Sequence, residues 1–252
     1  MASLNEIVEF LDQRLAIDSI PDKSHNGLQV QGSAEVNLVI GAVDGCFETY
    51  KAAAERDADF VFVHHGESWG DSLKRLTGRT GERLRVLFCN DISLYAAHLP
   101  LDAHQELGHN ARIAAMLGLQ NLRPFGAYAG TEIGVRGELG PVSSADLAAL
   151  VNKELGTTSQ VWDFGGREIR TVGIISGAGA GALTECHETG IDCLITGESG
   201  HTEYHVIKEL SDVVLIAAGH YKTEVPGVIA VLELLTEQFG MTCEFVDIPT
   251  GL

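Results

Sequence analysis

Apolar and polar positions along this chain fall into blocks that predict helices and strands in alternation. Ser3-Leu4-Asn5-Glu6 reads as a capping box, with Ser at the N-cap and Glu three residues on, and it opens an amphipathic helix through Ile7, Val8, Phe10, Leu11 and Leu15. Turn chemistry at Pro21-Asp22 and Asn26-Gly27 leads to a short segment Leu28-Gln29-Val30. The apolar run Leu38 to Val43 then predicts a strand that ends at Asp44-Gly45. A helix from about Phe47 to Arg56 follows. Phe60-Val61-Phe62-Val63, large and β-branched, predicts a buried strand that stops abruptly at His64 and His65. A charged, helix-compatible stretch runs to Leu87, and the strand Ile92 to Ala97 closes on His98-Leu99-Pro100-Leu101-Asp102. A helix over roughly Asn110 to Leu117 stops at Gly118.

The second half replays this order. Ser143 opens a helix through Leu147, Leu150, Val151 and Leu155, closed by Gly156. The strand Val172 to Ile175 ends at Ser176-Gly177, and the strand Ile191 to Thr196 stops at Gly197-Glu198, where the first half has its histidine pair. The strand Val213 to Ala217 runs into His220-Tyr221-Lys222-Thr223-Glu224, and a last helix reaches Phe239. His98-x-x-x-Asp102 in one half thus answers His220-x-x-x-Glu224 in the other. A repeat of about half the chain predicts an α/β protein of two intertwined, duplicated modules with mixed sheets flanked by helices. The modules are expected at 1–125 and 126–252, joined through the Gly-rich stretch 126–140. Pro100 and Pro226 place the two His-x-x-x-acid segments in loops at strand ends.

Composition narrows the function. The chain has 252 residues, 45% of them hydrophobic, enough for a sizeable core. Its longest apolar runs fall short of a membrane span, and Glu6 stands where a signal peptide carries basic residues, so a cytoplasmic protein is expected. Acids outnumber bases 35 to 17, a formal charge of −18, which argues against nucleic-acid and membrane-surface binding. The five cysteines are scattered without C-x-x-C spacing and read as small core residues.

Chemistry collects at the strand ends, the place where parallel α/β sheets deliver functional groups. The candidates are His64, His65, His98, Asp102, Glu198, His220 and Glu224. A histidine pair alone is as well explained by one core and one loop residue, but its company of acids and further imidazoles points to metal. Imidazole and carboxylate without thiolate suit zinc, manganese or ferrous iron. Neighbouring residues of a strand point to opposite faces, so His64 and His65 cannot easily serve one ion, and two ions resolve this. Gly177-Ala178-Gly179-Ala180-Gly181-Ala182 fits a dinucleotide fingerprint only loosely, and a backbone nest for a phosphate is the humbler reading. His201, Glu203 and His205 read as a solvated helix face, and His104, His109 and His187 receive no role.

With these residues in view, the chain resembles the GTP cyclohydrolase I type 2 family, also called the Nif-three-like dinuclear metal proteins. The matching pieces are Asn26-Gly27-Leu28-Gln29-Val30, Val63-His64-His65, Tyr95-Ala96-Ala97-His98 through Asp102, Thr196-Gly197-Glu198, and Ala218-Gly219-His220-Tyr221 with Thr223-Glu224. The resemblance implies a ring-shaped homohexamer and two divalent ions per subunit, ligated by His64, His65, Asp102, His220 and Glu224, with Glu224 bridging. It also implies a hydrolase that opens the imidazole ring of GTP with release of formate. In that reading His98 or Glu198 shuttles protons, and the substrate is a small molecule of nucleotide type. The alternative is a non-enzymatic ring that holds structural or regulatory ions or binds a partner. One departure stands out: after the histidine pair the family usually shows Pro and apolar residues, whereas this chain has Gly66-Glu67-Ser68-Trp69, which changes the wall expected to face the substrate.

Overall fold

The computed structural model describes residues 2–252. The chain forms two compact units, one made of the residues up to Leu101 with Val228–Ile248, the other of Asp102–Gly227 with Pro249–Leu252. Each unit is therefore assembled from two separate stretches of sequence.

The first unit is built on a five-stranded sheet in the order Thr242–Phe245, Leu38–Asp44, Phe60–His65, Ser93–Ala96, Gly27–Val30. The first four strands are mutually parallel and the last is antiparallel. Parallel strands are covered on both faces, which is why Phe60 to His64 are all buried and read as one apolar run rather than an alternation. On one face Ile40, Val61, Val63 and Leu94 pack with Leu84 and Leu87 from the helix Gly78–Cys89. Phe60 and Phe62 both stack on Tyr95, whose hydroxyl donates to Asp12 at 2.8 Å on the opening helix Leu4–Arg14. The expected capping box is present at Ser3 and Glu6.

The second unit has a six-stranded sheet in the order Gln120–Tyr128, Thr131–Val142, Ile169–Ile175, Cys193–Thr196, Val214–Ala217, Gln160–Trp162. Its three consecutive strands Ile169–Ile175, Cys193–Thr196 and Val214–Ala217 are parallel, as Leu38–Asp44, Phe60–His65 and Ser93–Ala96 are in the first unit. The other neighbours are antiparallel. Val172, Ile174, Cys193, Ile195, Val214 and Ile216 form one face of the core with Leu147 and Val151 from the helix Ser144–Leu155. The mixed α/β architecture and the repeated strand order are those the sequence predicts.

Two expectations are corrected. The Gly-rich stretch 126–140 is not a linker. It lies in the hairpin Gln120–Tyr128 and Thr131–Val142, so 125/126 falls inside a strand. Tyr128 pairs with Thr131 across Ala129 and Gly130, whose φ values of 49° and 87° make the two-residue turn that matches the twist of a hairpin. The two His-x-x-x-acid segments are single helical turns, Leu99–Asp102 and His220–Thr223, rather than loops. Pro100 is tolerated because the first turn of a helix has no intrahelical acceptor for its missing N–H. The stretch after Glu198 forms the helix Glu203–Glu209, with His201 and His205 exposed as expected of a solvated face. Among the described residues no helix is long and apolar enough to cross a membrane.

The hairpin packs on its neighbour closely enough to be tested. A Cβ at Gly134 would stand 2.5 Å from the Ile174 carbonyl oxygen and 2.6 Å from Ile175 Cγ1. Gly134→Ala should therefore lower stability by about 1–3 kcal/mol in urea unfolding. An unchanged midpoint would mean that the hairpin is not seated as described.

Candidate metal centre

In the first unit, the chemistry begins where the parallel strands end. Asp44 and His65 are register partners on adjacent strands, so the two side chains emerge together. Asp44 Oδ1 lies 2.9 Å from His65 Nδ1. His64, one residue earlier and fully buried, has its Nδ1 2.9 Å from the Ala97 carbonyl oxygen at the end of the next strand. His98 Nδ1 lies 3.0 Å from both carboxylate oxygens of Asp22. A carbonyl or carboxylate oxygen can only accept, so each neutral imidazole carries its proton on Nδ1 and keeps the Nε2 lone pair. That is the tautomer a metal ligand needs, with the oxygen behind it fixing the ring. The three rings stand with centroids 4.6 to 5.5 Å apart, and each offers a ligand atom within 4.8 Å of the others.

Asp22 is the most heavily used of these oxygens. Its side chain is 3% exposed and also accepts from the backbone of Ser24 and Leu99 and from Asn26 Nδ2. Burial alone would raise this carboxyl, but the hydrogen bonds of His98 and Asn26 outweigh it and hold the group well below the ordinary carboxylate range. Asn26 Oδ1 in turn accepts from the His98 backbone N–H at 2.8 Å.

The second unit presents a matching arrangement. The helical turn from His220 brings Glu224 Oε1 to 3.1 Å from His220 Nε2, while Glu198 Oε2 is 3.3 Å from its Nδ1. Glu198 thus stands behind His220 as Asp44 stands behind His65. The hydrogen bond with Glu224 is the main reason the His220 pKa rises to about 9. Burial opposes the rise, and the charges of Glu224 and Glu198 add to it. The backbone is pressed against this pair. A Cβ at Gly177 would meet Glu224 Oε1 at 2.4 Å and His220 Nε2 at 3.1 Å, and φ of +62° favours glycine there as well. The glycines after Ile175 therefore begin with a close approach to this imidazole–carboxylate pair rather than a dinucleotide turn. Asp102 is buried, with Oδ1 accepting from Ser176 Oγ at 2.8 Å, and Asn110 ties the two segments by accepting from Ser176 N and donating to the Asp102 carbonyl.

The donor types fit a borderline or hard divalent ion: imidazole and carboxylate, with no thiolate. Among the described residues no cysteine shares a candidate group with them. Burial pushes the Cys186 thiol up to about 12, away from metal-binding chemistry. Sequence reasoning missed Asp22, Asp44 and His109. Asp44 could have been found from its position at a strand end level with His65, but Asp22 lies 76 residues from His98 and gives no such signal. His109, which received no role, is fully buried, accepts from the Gly227 N–H at 3.0 Å, and offers an atom within 4.8 Å of Asp102.

The raised His220 pKa makes a stability prediction for the metal-free protein. A folded value of about 9 against 6.5 for the free group means the protonated imidazole stabilises fully below pH 6.5 and loses that contribution as pH rises to about 9. Urea midpoints should fall across that window in the wild type and fall less in His220→Gln. Equal declines would contradict the ion pair.

Comparison with known proteins gives a consistent picture. A Pyrococcus abyssi protein described as a GTP cyclohydrolase 1 type 2 homolog is 43% identical over 249 residues, 98% of each chain. A Deinococcus radiodurans protein of the same description is also 43% identical, covering 98% of this chain and 94% of its own. The crystal structure of TTHA1606 from Thermus thermophilus superposes with a TM-score of 0.92 at 37% identity over the whole of both chains. A structural-genomics protein, ybgI, described as of unknown function, gives 0.93 at 33% identity, again over both whole chains. The family model for DUF34/NIF3 (NGG1p interacting factor 3) matches residues 2–250, and this chain belongs to that family.

Proposed function

We propose that the protein is a hydrolase dependent on two divalent ions, ligated by His64, His65, Asp102, His220 and Glu224, that opens the imidazole ring of GTP or a related nucleotide with release of formate. The observation that carries the reading is the oxygen held against Nδ1 of His64, His65 and His98, from Ala97, Asp44 and Asp22. Such oxygens cost burial and fix imidazoles in one tautomer, an arrangement that core packing does not require and metal ligation does. The naming of relatives as GTP cyclohydrolase 1 type 2 homologs supports the substrate class.

When bound, the ions supply Lewis acidity and positive charge that offsets a triphosphate. The chain's own residues divide the remaining work. His98 exchanges a proton with the substrate through Nε2, while Asp22 holds its Nδ1–H and stabilises the cation formed when it accepts one. Glu198 keeps His220 oriented, so of the two proton carriers expected from sequence His98 is the better placed. The same reading includes a homohexameric ring and a cytoplasmic location.

Metal analysis with GTP turnover tests this. Wild-type protein should hold about two ions and release formate, and His65→Ala and Glu224→Ala should each lose metal and turnover together. Asp44→Asn, which keeps the ligand but alters the oxygen behind it, should weaken metal binding about 10- to 100-fold. Full metal content in both alanine variants would refute the ligand set. Two ions held without turnover of GTP would favour the non-enzymatic ring.

A further inference from the structure

The segment directly after the histidine pair has no part in the ligand set, yet it is built with unusual care. Gln29 Oε1 accepts from both the Glu67 and Ser68 N–H groups, at 2.8 and 3.0 Å. Gln29 Nε2 donates to the His25 carbonyl at 2.8 Å. His25 bonds Ser68 through both its backbone and its ring. Gly70 N–H donates to the Lys23 carbonyl, and Ser72 Oγ accepts from Trp69 N–H while donating to the Glu67 carbonyl. Glu67 is buried and takes Arg83 Nη1 at 3.2 Å. The loop 66–72 is thereby pinned against 23–29 on one side and the helix Gly78–Cys89 on the other.

What the loop holds in place is Trp69. Its indole N–H donates to the Gly66 carbonyl at 2.7 Å, which fixes the plane of the ring. The ring centroid is 4.9 Å from that of His98 at 69°, and 6.0 Å from that of His65 at 44°. The indole is thus contiguous with two members of the histidine cluster and remains partly exposed. A tryptophan whose only task was packing would be buried with its N–H satisfied. Here the N–H is satisfied by the loop's own backbone, and the side chain stays partly exposed beside the cluster.

We propose that Trp69 is the stacking platform for the planar heteroaromatic base of the substrate, set by the loop 66–72 beside the ligands. This deepens the hydrolase reading above and rests on it for the neighbouring ions. The chemistry is that of an electron-rich indole face against a purine- or pterin-like ring. Such stacking is tolerant of base identity, and it explains how a site with no evident guanine-reading side chains selects a ring system at all. The charge of the triphosphate is left to the ions, and the base to the indole.

The chain has two tryptophans, Trp69 and Trp162, so Trp162→Phe leaves Trp69 as the sole indole reporter. In this metal-loaded protein GTP should quench Trp69 emission saturably, while inorganic triphosphate, which has no base, should not. In the otherwise wild-type protein Trp69→Phe should keep most of the GTP affinity. Trp69→Leu, nearer to Phe in apolar bulk but without a π face, should weaken it about tenfold, with triphosphate binding and metal content unchanged. Equal GTP affinity in the Phe and Leu variants would overturn the platform. So would a protein holding two ions whose Trp69 emission ignores GTP, guanosine and a pterin alike, and that result would leave the metal reading standing. A Trp69-dependent response in protein that holds no ions would overturn the metal reading and leave the platform standing.

Discussion

An imidazole that gives its Nδ1 proton to an oxygen has one lone pair left, and the direction of that lone pair is set by whatever holds the oxygen. In this protein the holders are the ends of a parallel sheet and the turns beside it. The Ala97 carbonyl and Asp44 sit at the termini of the strands flanking Phe60–His65, and each meets one of its two final histidines. The constraint explains why the strand is so rigidly apolar up to Val63: a register slip of one residue would exchange the faces of His64 and His65 and separate both from their oxygens. Fold and site are here a single requirement on strand register.

The same logic recurs in the second unit in different materials. Its three inner strands are again parallel and again lead to polar residues, but the imidazole comes from a helical turn after the last of them, and the oxygen behind it from Glu198 just past the preceding one. The two units repeat the place where polar groups gather while the groups themselves differ. The close approach of Gly177 to His220 and Glu224 has no need of a phosphate ligand to explain it. Packing backbone against an imidazole–carboxylate pair limits its motion, and this is what an ion with defined coordination geometry would exploit.

The inner strands were legible in the sequence because burial on both faces turns them into continuous apolar runs, and the helices because their caps and periodicity are local. The hairpin Gln120–Tyr128 and Thr131–Val142 was not. Its first strand is exposed over most of its length, so neither alternation nor an apolar run marks it, and its glycines mimic a linker. The edge strands Gln160–Trp162 and Thr242–Phe245 are too short to stand out. The candidate ligands His64, His65, Asp102, His220 and Glu224 were visible as strand-end residues of the right chemical type. The oxygens behind the imidazoles were only partly so: Glu198 stood among the candidates, whereas Asp44 and the Ala97 carbonyl did not, and Asp22 reaches His98 across 76 residues and acts only through the folded chain. Residue type is written locally, whereas tautomer is a property of tertiary structure.

The tautomers themselves are the most direct measure of this account. Long-range proton–nitrogen correlation spectra of metal-free protein labelled at histidine, recorded where the imidazoles are neutral, report which ring nitrogen bears the proton. His64, His65 and His98 are predicted to carry it on Nδ1, with an unprotonated Nε2 whose nitrogen shift changes when zinc is added. An Nε2–H tautomer at His64 or His65 would contradict the claim that the sheet's ends prepare these side chains to hold metal.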